Sequence, residues 1–182
     1  MTSAPVVKTV ETLLECRKFS VQRLSVTGSD GRTRTREVVV HPGAVVVLPV
    51  LDDGRVVMLR QYRAAVGKSL LEFPAGTRDV AGESPEACAV RELEEEVGYR
   101  ADRLELLCSL YPSPGILSEH IIAYVATGLT PTPPGPTADE MIESIEKLTL
   151  DDAAARAARG EIEDAKSIVA LLMYRLRGGQ RA

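Results

Sequence analysis

The residues of this chain best suited to chemistry are Glu92, Glu95 and Glu96, in the stretch RELEEEVG that runs from Arg91 to Gly98. At roughly 100° per residue on a helix they fall within one narrow arc, while Val90, Leu93 and Val97 form a separate apolar stripe. Residues four apart stand about 5–6 Å apart at Cβ, so Glu92 and Glu96 can reach one hard cation together. A run of Glu on a helix is ordinarily a solvated face. Here the carboxylates crowd one arc beside Arg91, and like-charge repulsion would destabilise an isolated helix. Glu83 adds a further carboxylate at the helix entrance. A divalent cation held by oxygen ligands would relieve that repulsion. Cys88 projects near the same arc, but a site of soft ligands needs more than one such residue.

The helix that must carry these groups is marked at both ends. Ser84 suits the N-cap, Pro85 the first helical position and Glu86 the positive end of the dipole, and Gly98 can take the left-handed conformation that ends a helix. Upstream, residues 17–27 alternate as a strand, and residues 34–41 read as its hairpin partner across the turn GSDG. GAVVVLPVL, residues 43–51, is the continuous apolar run of a strand covered on both faces. Asp52-Asp53-Gly54 turns it into a second core strand over residues 55–62. A short strand at residues 70–73 and a turn at Pro74-Ala75-Gly76 lead into the helix. Residues 104–110 and 121–125 read as further strands, and PTPPGPTADE, residues 131–140, as a loop outside regular structure. Two helices close the chain. One begins near Asp151 behind a Thr149 cap, and the other covers about residues 165–175 with an apolar face including Val169, Leu172 and Met173. This order predicts an α/β or α+β fold, a sheet covered by helices.

A length of 182 residues allows one ordinary domain with a core and a small extension. The hydrophobic share of 45% and charged share of 26% are those of a globular protein, and the net charge of −4 argues against nucleic-acid or anionic-membrane partners. No apolar run approaches the ~20 residues that span a bilayer. MTSAPVVKTVETLLE lacks a secretory pattern, and Cys16, Cys88 and Cys108 show no short-range pairing motif, so free thiols in the cytoplasm are expected.

The stretch from Gly76 to Tyr99 resembles the Nudix box, in which glycine, a glutamate and an Arg-Glu-aliphatic-x-Glu-Glu-x-Gly run recur at fixed spacing. Gly76, Glu83, Arg91, Glu92, Leu93, Glu95, Glu96 and Gly98 take the fixed places. Six residues rather than five separate Gly76 from Glu83, and Tyr99 replaces the final aliphatic. The extra residue falls in the loop, where ligand spacing is not disturbed. Beyond the box, RQYR at residues 60–63, LEFPAG at 71–76, YPSPG at 111–115 and GEIEDAKSIVALL near the end resemble the ADP-ribose and nucleoside-diphosphate-sugar pyrophosphatases. The resemblance implies a Nudix α/β/α sandwich with a mixed sheet over residues 43–182, preceded by an N-terminal antiparallel β-hairpin extension, residues 1–42, that serves dimerisation.

It also implies roles. Glu92 and Glu96 are the central metal ligands, joined by the Ala75 carbonyl and Glu95. The metal is Mg²⁺, with Mn²⁺ as a substitute, two or more ions per site. Arg91 orients the carboxylates. Glu140, on the Pro-rich loop, is the general base, with Glu143 as fallback. Arg36, Arg60, Arg63, Glu72, Pro114, Gly115 and Glu119 are expected at the substrate. Without the resemblance, Arg60 and Arg63 would read as strand-end charges and Pro114-Gly115 as a plain turn. His41 and His120 are read as structural or as supports behind the site's ligands, not as catalytic groups. The expected reaction converts ADP-ribose to AMP and ribose 5-phosphate. GDP-mannose or a broader nucleotide-sugar range is the alternative, and a binding protein without catalysis is the alternative of another class. The expected assembly is a homodimer with exchanged N-terminal strands, in which Arg17, Phe19 or Arg36 reaches the partner's nucleobase. Neither nucleic acid nor membrane is expected as a partner.

Overall fold

The computed structural model describes residues 4–133 and 141–178, and its contacts divide the chain into two units, Met1–Gly43 with Tyr111–His120, and Ala44–Leu110 with Ile121–Ala182. In the first unit β1 (Val6–Glu15), β2 (Ser20–Thr27) and β3 (Thr33–Val40) form one antiparallel sheet in that order. The β2–β3 hairpin follows the alternation, in unbroken register from Ser20 opposite Val40 to Thr27 opposite Thr33. A two-stranded ribbon was expected; β1 makes it three. Register shifts between Thr9 and Glu11 and between Thr12 and Leu14 break the period of two along β1, so no strand pattern shows in VVKTVETLLE. Residues 111–120 are strapped to β3: the Val39 N–H donates to the Ile116 carbonyl at 2.8 Å, and the Ser118 N–H to the Val39 carbonyl at 2.9 Å.

The second unit contains β4 (Ala44–Pro49), β5 (Val56–Arg63), β6 (Lys68–Glu72), β7 (Ala75–Thr77), α1 (Pro85–Val97), β8 (Tyr99–Leu110), β9 (Ile121–Pro131), β10 (Ile142–Leu148), α2 (Leu150–Ala158) and α3 (Ala165–Leu176). A mixed sheet runs β7-β4-β9-β8, with β4 parallel to β9, and an antiparallel sheet runs β10-β5-β6. Val45 and Val47 face a core shared with Cys88, Ala89, Leu93 and Val97 of α1. Val46 and Leu48 face another, shared with Ala153 of α2 and Ala170 and Leu171 of α3. Helices therefore cover both faces of β4, which is why its sequence is apolar without alternation. This is the α/β/α arrangement expected.

The Asp52–Gly54 turn forms as expected, closed by the Gly54 N–H on the Leu51 carbonyl and flanked by an antiparallel bridge between Val50 and Val56, and leads into β5. Three local expectations are corrected. Residues 75–77 extend as β7 against β4 instead of turning at Ala75-Gly76, and three residues are too few to show a period. Strand β10 was not expected; a bulge between Ile142 and Ser144 shifts its phase. Helix α3 buries Ser167, Ala170 and Leu171 and packs Ile168, Met173 and Tyr174 against the core, so the expected face holds at Met173 but not at Leu172, which is 48% exposed.

Candidate active site

Helix α1 has the ends its sequence announces. The Ser84 hydroxyl accepts from the Ala87 N–H, and Gly98 takes φ 69°. With Cys88, Ala89, Leu93 and Val97 turned into the core, Glu92 and Glu96 come to lie along the adjoining edge, 6% and 3% exposed. That edge rests on β7. A Cβ built on Gly76 would stand 1.9 Å from Glu92 Oε1, so glycine is required there for close approach rather than for an unusual φ. Glu96 Oε2 accepts from the Ala75 N–H at 2.8 Å.

One guanidinium organises the acids. Arg91 donates to both oxygens of Glu83 at 2.9 and 3.1 Å, and its Nη1 bridges Glu92 Oε1 at 2.7 Å and Glu95 Oε2 at 3.1 Å. The Arg91 hydrogen bond holds the Glu83 carboxyl below the usual carboxylate range. The same bond, with the Glu92 charge, raises Arg91. Burial, followed by the Glu92 charge, pushes the Cys88 thiol up to about 12, so Cys88 is an inert packing group. Among the described residues no three acidic, His or Cys side chains are already gathered as a cage for a metal ion. The donor set nevertheless fits a hard cation: buried carboxylates brought together on a backbone that only glycine permits.

A second polar cluster lies at the end of β6. Glu72, 1% exposed, accepts from Arg63 Nε at 2.8 Å and Nη2 at 2.7 Å, and from the Lys166 ammonium. Burial alone would raise the Glu72 carboxyl, but the Arg63 bond and Lys166 charge outweigh it and hold it low. Arg60 instead pairs with Glu146 of β10 at 3.0 Å, which also takes Arg156 of α2 at 2.7 Å. Glu143 accepts from the Ser69 hydroxyl at 2.6 Å. Glu140 lies outside the described residues.

In the first unit, Arg36 is exposed and donates to its neighbour's carbonyl, that of Thr35, at 2.9 Å. Pro114 and Gly115 sit in a turn closed by Ile116 and Leu117 N–H groups onto the Ser113 carbonyl. Glu119 lies 3.6 Å from His41 Nδ1, and His120 stacks on Tyr111 with centroids 4.8 Å apart. Sequence reasoning missed Asp164, Lys166 and Ser167, though Asp164-x-x-Ser167 is a legible N-cap spacing: Asp164 caps α3 and accepts from the Ser167 N–H at 3.0 Å.

An α/β/α sandwich with an arginine-bound glutamate helix laid on a glycine-bearing strand defines the Nudix hydrolase class. The NUDIX domain family profile matches residues 40–171, and the chain belongs to that family. It is 39% identical over 173 residues to a methanol dehydrogenase activator of Bacillus methanolicus, covering 93% of this chain and 92% of that protein. It is 37% identical to an ADP-ribose pyrophosphatase of Bacillus subtilis, over 84% of this chain and 83% of the relative, and 39% identical to one of Mycobacterium tuberculosis, over 89% and 79%. The crystal structure of an ADP compounds hydrolase superposes with a TM-score of 0.85 at 28% identity, covering 100% of this chain and 99% of that one. Nudix hydrolases generally need divalent metal ions.

Proposed function

We propose that this protein hydrolyses the diphosphate linkage of nucleoside diphosphate sugars, with ADP-ribose, giving AMP and ribose 5-phosphate, as the substrate. The observation that carries this reading is the buried Glu92–Glu96 pair seated on the Ala75-Gly76 backbone under Arg91. The names of the Bacillus subtilis and Mycobacterium tuberculosis relatives support the substrate. Bound Mg²⁺, with Mn²⁺ as a substitute and two or more ions per site, would supply charge neutralisation on the phosphoryl oxygens and an activated water. Glu92, Glu96, Glu95 and the Ala75 carbonyl would hold the ions, and Arg91 fixes the carboxylates in place. Glu140 takes the proton of the attacking water. Glu143 is the weaker choice, since its carboxylate is engaged by Ser69. Arg36, Arg60, Arg63, Pro114, Gly115 and Glu119 bind substrate, and Glu72 acts through Arg63, both its oxygens being engaged.

The assembly we propose is a homodimer in which residues 1–42 exchange across the interface. Exposed Val6, Val7, Val10, Leu14 and Phe19 give that segment an apolar surface to cover. Light scattering on the full chain and on a deletion of residues 1–40 tests it: a fully active monomer would sink it. Cytoplasmic residence rests on the free thiols of Cys16, Cys88 and Cys108.

A hydrolysis panel with Mg²⁺ over ADP-ribose, GDP-mannose, other nucleotide sugars and dinucleotides tests the activity. ADP-ribose should give the highest kcat/KM. GDP-mannose in first place would favour the reading suggested by the GDP-mannose pyrophosphatases of Yersinia, 37% identical over 142 residues. No turnover of any compound would favour a non-catalytic role, to which the Bacillus methanolicus activator points.

A further inference from the structure

We propose that the first turn of α3 is a clamp on the metal-binding segment, with Ser167 and Lys166 as positioning residues; the inference rests on the metal-dependent reading above. Residues 73–75 lead from the end of β6 into the first residue of β7, and each holds a different element. The Phe73 N–H donates to Ser167 Oγ of α3 at 2.8 Å, the Pro74 carbonyl accepts from the Val47 N–H of β4 at 2.8 Å, and the Ala75 N–H donates to Glu96 of α1 at 2.8 Å. The backbone beside the carboxylate pair is thus fixed from three directions.

Ser167 is completely buried, and its hydroxyl is committed. Its one proton goes to Asp164 Oδ2 at 2.6 Å, which turns a lone pair toward the Phe73 N–H. Asp164 in turn accepts from Lys166 at 2.9 Å, and Lys166 also binds Glu72. One helical turn therefore grips two consecutive residues, Glu72 and Phe73, immediately before the segment that meets Glu96. Neither Ser167 nor Lys166 needs to touch substrate for this. Removing the Ser167 hydroxyl would leave the Phe73 N–H buried without an acceptor, and the strand would have to shift to regain one.

The test is Mn²⁺ binding to the full chain, followed by electron paramagnetic resonance without substrate and combined with thermal unfolding and steady-state kinetics. Ser167→Ala is expected to weaken Mn²⁺ binding about tenfold, the effect typical of groups that orient metal ligands. It should lower kcat more than it raises KM. Ser167→Thr, which keeps the hydroxyl, should recover most of the Mn²⁺ affinity. Lys166→Met should move it in the same direction as Ser167→Ala, and decides the matter if the buried serine variant does not fold. Ile162→Val removes a methylene from the core just before Asp164. It should lower the unfolding midpoint while Mn²⁺ affinity holds. Wild-type Mn²⁺ affinity in Ser167→Ala or, failing that, in Lys166→Met would overturn the clamp and leave the hydrolase reading standing. A wild-type chain that binds no Mn²⁺ would overturn the metal reading itself, and the clamp with it.

Discussion

At the end of β6, Glu72 accepts two hydrogen bonds from Arg63 and a third from Lys166, and the neighbouring Asp164 shares that lysine. On α1, a single guanidinium, that of Arg91, is divided among Glu83, Glu92 and Glu95. Both clusters bury carboxylate in the same unit, yet the first matches two cations to two acids within its own side chains. The second divides the guanidinium of Arg91 among Glu83, Glu92 and Glu95, and Glu96, on the same helix, lies close enough to Arg63 to help raise it. Burying charge is tolerated where it is paired and hydrogen-bonded. The β6 cluster meets that condition internally and reads as a fastening. The α1 cluster concentrates its acids on one helix edge, and under the proposed function that edge takes up the further positive charge of a bound cation.

If that contrast is right, Glu96→Gln separates the two. The amide keeps its volume and can still accept from the Ala75 N–H, so the fold should hold, while turnover with Mg²⁺ should fall more than about a hundredfold, beyond the loss typical of groups outside the ligand set. A rate equal to wild type in saturating Mg²⁺ would reduce the arc to a solvated face. Glu72→Gln should do the opposite. Removing one partner of a buried ion cluster, here with Arg63 partly solvated, should cost about 2–3 kcal/mol of stability in urea unfolding near neutral pH. The pH dependence has a definite sign. The folded Glu72 carboxyl sits below its usual value. Its contribution is therefore present above the unfolded pKa of about 4.3 and is lost as pH falls through the folded one. The gap between wild type and Glu72→Gln should close in acid. A gap that widened below pH 4 would show that the carboxyl is raised, not lowered.

Gly76→Ala probes where the two clusters meet the same backbone. Residue 76 follows Ala75 directly, and a methyl there would overlap the Glu92 carboxylate. Displacing that group should lower kcat about tenfold or more. An unchanged kcat would mean that Glu92 swings away without cost and that the close approach serves packing alone.

Much of α1 was legible because its signals are local: Ser84, Pro85 and Gly98 define its ends by chemistry that acts within a turn, and the glutamates recur at helical spacing. Glu72 stood in a recognisable stretch, but nothing in LEFPAG says which cations would meet it. Phe73 and Ser167 are 94 residues apart in sequence, and a contact at that distance leaves no pattern in either segment. Strands β1 and β10 were hidden for a different reason. Two bulges break the phase of β1, which is exposed along its whole length and so shows no apolar face, and the bulge in β10 leaves only the five residues Ser144–Leu148 in phase, too short a run to mark a strand. On α3 the miss lay between neighbours of equal apolarity: Leu171 is buried and Leu172 is 48% exposed, and composition does not separate the two.

The least consequential change should be Lys68→Ala, and it tests whether burial is what separates these clusters. Lys68 and Lys166 form similar pairs on paper. Lys68 reaches both oxygens of Glu163 at 2.7 Å, and Lys166 reaches Glu72, so each ties the β6 strand to the stretch at the start of α3. Their surroundings differ. Lys68 and Glu163 are 51% and 48% exposed, whereas Lys166 and Glu72 are 14% and 1%. In water each exposed partner regains hydration when the other is removed, and the entropy of two long side chains is released. Lys68→Ala should therefore change stability by less than about 0.5 kcal/mol, and any difference should vanish in high salt. Hydrolysis should be untouched. A loss as large as that of Glu72→Gln would mean that the pair distance, not the burial of the acid, sets the energy, and the reading of the β6 cluster as a buried fastening would fall.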